Sequence, residues 1–120
     1  MPTPAQTLRE TLRADLKAAM LSRARDEAAL IRTLIAAVDN AEAVAQPDGA
    51  KPADSADFAS GAAEAARKVL SEDDLAAILR AEIDSRREAA AQMRSGGAVA
   101  EAERLEREAQ AVARYCGGSA

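Results

Sequence analysis

The sequence predicts an all-α protein, a small bundle of about four helices arranged as two helical hairpins, with a mobile linker between helices two and three. Three observations carry this. Roughly a quarter of the 120 residues are alanine, the best helix former. The large apolar residues recur three or four apart over long segments. No segment alternates apolar and polar residues as a half-buried strand does. Leu, Ile, Val and Phe make up only about a sixth of the chain, a share that signals disorder only alongside high net charge, and here the net charge is -4. The length fits a single domain over 1–120, because either half alone would bury too small a core.

Helix one is expected from about Ala5 to Ser22. Thr3 can cap it, Pro4 suits its start, and Leu8, Leu12, Leu16, Ala19 and Met20 form its apolar stripe. Helix two runs from about Asp26, a candidate N-cap, to Val44. Leu30, Ile31, Leu34, Ile35 and Val38 give it the widest apolar face in the chain, that of the core helix. Few residues separate helices one and two, so they pack as antiparallel neighbours. Residues 45–61 have the Pro, Gly, Ser and Asp content of a linker, with Phe58 as a lone anchor to the core, and 62–69 form a short helical turn. Helix three opens with Ser71 as N-cap and Asp74 in the capping-box position. It continues through Leu75, Ile78, Leu79, Ile83, Ala90 and Met93, and stops at Gly96-Gly97. Helix four spans about Ala98 to Tyr115 on a thin face of Val99, Ala102, Leu105, Ala109 and Val112. A core this slim is marginal, and a homodimer or a larger partner would support it.

Composition excludes several kinds of function. The chain has no His, which removes the commonest general base, the nucleophile–His catalytic pairs and imidazole zinc sites. Its single cysteine, Cys116, allows no intrachain disulfide and no cysteine metal cluster. One Tyr and one Phe are too few for a base-stacking platform, and net acidity disfavours DNA. The carboxylates Glu72-Asp73-Asp74 read as capping charges rather than a metal site. No catalytic residue, metal or cofactor is expected. The first residues show no basic segment followed by an apolar run, and the longest apolar stretch is too short for a membrane span. The expected location is the cytoplasm, with no membrane partner.

Polar residues set within apolar stripes draw the remaining expectations. Arg32, Asn40 and Glu42 on helix two and Glu82 on helix three suggest a structural polar network between those helices. Arg80, Arg87 and Arg94 repeat every seven residues and, with Arg86 and the more distant Arg67 and Lys68, form a basic strip suited to RNA phosphates or an acidic partner, diluted by Asp84 and Glu88.

Two sets of residues resemble a known family. The first is Leu12-x-x-Asp15-Leu16-Lys17-x-Ala19-Met20, followed by Arg25-Asp26, Leu30-x-Arg32-x-Leu34 and Ala36-Ala37-Val38-x-Asn40-Ala41-Glu42. The second, more specific, is Leu70-Ser71-Glu72-Asp73-Asp74, then Leu79-Arg80-Ala81-Glu82-Ile83-x-x-Arg86-Arg87-Glu88-Ala89-Ala90, and then a glycine pair, Ala102-Glu103, Glu106-x-Glu108 and Tyr115. Together they resemble the GatB/YqeY family, whose stand-alone members are similar to the tail domain of the GatB component of the aspartyl/glutamyl-tRNA amidotransferase. The resemblance covers nearly the whole chain apart from the linker. It implies a helical domain in a carbon–nitrogen ligase grouping that uses glutamine as amide donor, with catalysis in other domains and tRNA recognition in the tail. The implied partners are tRNA or amidotransferase subunits, contacted through Arg80, Arg86, Arg87 and Arg94. The chain departs from the family pattern in three places: its linker is longer, Gly96-Gly97 replaces a Gly-Arg pair, and the usual C-terminal subdomain does not follow Tyr115. The rival expectation is a protein–protein adaptor or homodimeric helical module with no nucleic-acid role. An amide-transfer enzyme is the reading least compatible with the chemistry.

Overall fold

The computed structural model describes residues 1–44 and 69–116. The predicted linker, Phe58, Arg67 and Lys68 lie outside the described residues. Among the described residues the structure is all-helical, in the order α1 (Pro4–Leu21), α2 (Arg25–Val44), α3 (Glu72–Ser95) and α4 (Val99–Cys116). Helices α1 and α2 pack as one pair and α3 and α4 as another, as the short connections require.

Each hairpin opens with a capping box. The Gln6 amide donates to Thr3 Oγ1 (3.1 Å) and the Thr3 amide to Gln6 Oε1 (2.9 Å). Ser71 and Asp74 repeat the exchange at 3.0 and 2.9 Å, so two otherwise orphaned backbone donors are satisfied at each start. Each hairpin also turns through the same Schellman motif. After α1, the Ala24 amide donates to the Ala19 carbonyl and Arg23 to Met20; after α3, Ala98 donates to Met93 and Gly97 to Arg94. The motif needs one left-handed residue. Gly97 fills that place at φ 89, but in the first hairpin Arg23 holds it at φ 61. Because Ala24 closes that motif, α2 starts at Arg25, and Asp26 lies inside its first turn rather than at its cap.

Two clusters form the core. Leu12 and Ala19 of α1, Ala28, Leu30, Ile31 and Leu34 of α2, Leu79 and Ile83 of α3, and Ala109 and Val112 of α4 meet where the hairpins pack on each other. Ala5, Val38, Leu70 and Leu75 close the end that holds both capping boxes. Ala90 and Ala102 are buried outside both clusters, where α3 and α4 approach through small side chains. Three residues of the expected stripes lie outside the core. Met20, Met93 and Val99 are 55 %, 41 % and 46 % exposed: Met93 and Val99 flank the α3–α4 turn, and Met20 lies beside Arg32 on the outer side of α1, its neighbour Ala19 taking the core position.

Candidate functional site

The expected basic strip on α3 separates into two kinds of arginine. Arg86 is half-buried. Its Nη1 donates to Glu82 Oε1 (2.7 Å) and to the Glu82 carbonyl (3.2 Å), and its Nε donates to Glu108 Oε1 (3.1 Å) on α4. The second Glu108 oxygen accepts from Arg104 Nη1 (2.6 Å), and Arg104 Nε reaches Glu101 Oε1 (2.8 Å). Charge therefore alternates from Glu82 through Arg86, Glu108 and Arg104 to Glu101. The hydrogen bond from Arg104 and its charge lower the Glu101 pKa, and the same bond raises that of Arg104. Arg94 is also engaged, donating to Glu106 Oε1 (3.0 Å). Arg80 and Arg87 are exposed, and neither has an ion-pair partner among the described residues.

The polar residues expected to bridge helices two and three take other places. Glu42 accepts from Arg9 Nη2 at 2.8 Å, so its partner lies on α1. Glu82 pairs within α3. Arg32 is exposed, with Nη2 lying 3.6 Å from Met20 Sδ, and Asn40 is exposed. Among the described residues the ion pairs run within each hairpin and none joins α2 to α3, whose contact is made by apolar side chains.

Three polar centres escaped the sequence reading. Arg9 bridges Asp39 (2.8 Å) and Glu42. Burial opposes its charge, but hydrogen bonds and charge from both carboxylates outweigh this and raise its pKa. Glu108 joins α3 to α4 through its two arginines. Tyr115, at the end of α4, donates its hydroxyl proton to Asp15 Oδ2 on α1 (2.5 Å), and burial followed by that bond raises its pKa. The available signal was distance from the turn: Arg9 and Asp39 lie at similar separations on either side of Arg23, as Arg86 and Glu108 do about Gly97.

The described residues also form open grooves. One lies between α1 and α2, lined by Gln6, Arg9, Glu10, Arg13, Asp39 and Glu42. Another lies where α1, α3 and α4 meet, with Leu8, Thr11, Leu79, Tyr115 and Cys116 in its wall. Among the described residues no three His, Cys, Asp or Glu side chains converge to hold a metal ion, and no helix is long and apolar enough to cross a membrane. Comparison with family models, curated proteins and solved structures finds no match to this chain.

Proposed function

We propose that this chain is a YqeY-like helical module without a catalytic site of its own, which binds tRNA phosphates within glutamine-dependent tRNA amidotransferase biology. The observation that carries the reading is the exposed pair Arg80 and Arg87. They lie seven residues apart on α3, on one face, with no carboxylate partner among the described residues. Arg86 and Arg94 are already neutralised by Glu82, Glu108 and Glu106, so binding through them would first have to break protein ion pairs. The motif residues of the second hairpin support the same assignment. They supply both the capping box that starts α3 and the arginines it displays.

The test is binding of labelled bulk tRNA across a salt series. Each phosphate contact contributes about 0.7–0.9 to the slope of log affinity against log salt. Arg80→Glu with Arg87→Glu should therefore reduce the slope by about 1.5 and weaken binding throughout. Absence of binding even at low salt would overturn the tRNA reading and direct attention to amidotransferase subunits as partners. Glutamine hydrolysis by the purified chain would overturn the non-catalytic assignment.

A further inference from the structure

The open side of the α1–α2 hairpin carries a charge pattern that tRNA binding through Arg80 and Arg87 does not use. On α2, positions 25, 32 and 39 are seven apart and share a face; on α1, positions 9, 13, 17 and 20 follow at helical spacing. Antiparallel packing sets Asp39 against Arg9 at 2.8 Å and Arg32 beside Met20 at 3.6 Å. At the Arg9 end, α2 supplies Asp39 and Glu42, and the charges close on each other. Arg13 still belongs to the carboxylate end, where it lines a groove with Glu10, Asp39 and Glu42. Toward the turn, α2 supplies Arg32 and Arg25 instead, while α1 supplies Lys17. Cations there accompany cations.

Three carboxylates of this hairpin are engaged and two more lie toward α4. Asp15 accepts from Tyr115. Glu27 acts electrostatically on Tyr115, and Asp26 on Arg104, so both are close to α4. Asp39 and Glu42 hold Arg9. Within residues 1–44, Glu10, Asp26 and Glu27 have no ion-pair partner among the described residues; Glu10 lines the groove beside Arg13, and Asp26 and Glu27 lie toward α4. Arg13, Lys17, Arg25 and Arg32 are all exposed, and none has an ion-pair partner among the described residues. Beside them Met20 and Leu21 are 55 % and 77 % exposed. On an acidic protein, exposed cations therefore share this side with exposed apolar side chains, Arg32 touching Met20 directly.

We propose that this side of the hairpin, carrying Lys17, Met20, Arg25 and Arg32, docks an acidic amphipathic helix of a partner protein. Carboxylates match guanidinium groups in pairs of hydrogen bonds, and a thioether adapts to an apolar side chain pressed against it. An RNA backbone would satisfy the cations but would leave Met20 and Leu21 against water and phosphate. Laying an amphipathic helix along a helical hairpin engages both features in one event. The surface lies on the hairpin opposite to Arg80 and Arg87 in sequence, and the two proposals fail separately.

The probe is a synthetic fluorescein-labelled helix of Glu, Leu and Ala, with leucines at i, i+3, i+4 and i+7, titrated by anisotropy at low and physiological salt. Lys17→Glu with Arg32→Glu should weaken its binding by about tenfold or more, as reversal of interfacial charges does. Met20→Ser should weaken it several-fold at both salts, and Arg80→Glu with Arg87→Glu should leave it unchanged. Circular dichroism and the urea midpoint of each variant establish that the fold is retained. The proposal is overturned by absence of saturable binding at low salt, or by a double variant that binds as well as the parent. It is equally overturned if a leucine-free glutamate peptide or a single-stranded RNA binds as tightly. Self-association that the double variant abolishes would assign the surface to a second copy of this chain and overturn it as well.

Discussion

Arg23 and Gly97 do the same work with different side chains. Both occupy the left-handed position of a helix-ending motif, with the same two backbone hydrogen bonds around them. For an L-residue with a Cβ that conformation costs about 1–2 kcal/mol, and glycine adopts it freely. Arg23→Gly should therefore stabilise the chain by about 1 kcal/mol, less what glycine's freedom in the unfolded state takes back. Gly97→Ala should destabilise it by about 1 kcal/mol or more. Urea denaturation of the two variants would read both signs, and an Arg23→Gly variant less stable than the parent would show that the side chain makes a contact worth more than the strain. The Arg23 turn was legible as a turn but not as this one, because nothing in Ser22-Arg23-Ala24-Arg25 carries the glycine that marks a left-handed cap.

Helices α3 and α4 are joined by two kinds of contact at once. Ala90 and Ala102 let the backbones approach, and Arg86, Glu108 and Arg104 lie across the seam. Alanine contributes little apolar area, so this pairing depends on close fit more than on the amount buried. Ala102→Leu puts three extra carbons where the side chain is fully buried, and overpacking of that kind costs about 1–3 kcal/mol. The expected signature is a lowered thermal midpoint with α-helical content largely kept below it. An unchanged midpoint would mean the seam can widen without cost. The charged part of the seam shows how far periodicity reaches. Glu82 and Arg86 stand four apart, the spacing of an intrahelical pair. That Glu108 also takes Arg86 depends on the register of the hairpin.

The two hairpins meet mainly through apolar side chains, and Tyr115 adds a polar tie at one end of that contact. The tie spans 100 positions of sequence, so it reports directly on whether α4 is docked against α1. A neutral hydroxyl is what Asp15 needs as a donor, and burial together with Asp15 raises the Tyr115 pKa above its ordinary value near 10. A raised folded-state pKa means that the protonated form is favoured by folding. This stabilising contribution is complete below about pH 10 and is lost progressively above it, as the unfolded chain ionises first. Tyr115→Phe should cost about 1 kcal/mol at neutral pH through the lost hydrogen bond. It should also flatten the decline in stability above about pH 10. Equal alkaline sensitivity in the parent and the variant, measured by urea midpoints across that range, would assign the decline to other groups.

Local chemistry was enough to specify the helices, the Thr3 and Ser71 caps and the principal core face. Helix propensity, the Ser71 box, the glycine stop and the spacing of Leu30, Ile31, Leu34 and Val38 all act within a few residues of one another. Which arginines remain available to a partner was settled only by packing. Arg80, Arg87 and Arg94 are equivalent in the seven-residue repeat, yet Arg94 is paired with Glu106 of α4 while Arg80 and Arg87 have no ion-pair partner among the described residues. Met20, Met93 and Val99 follow the apolar period but stay exposed, because period marks a face and not which of its residues the opposite hairpin covers. The cationic side of α1–α2 has the same origin. It depends on which α2 residue stands opposite each α1 residue, and register across a turn is a tertiary quantity.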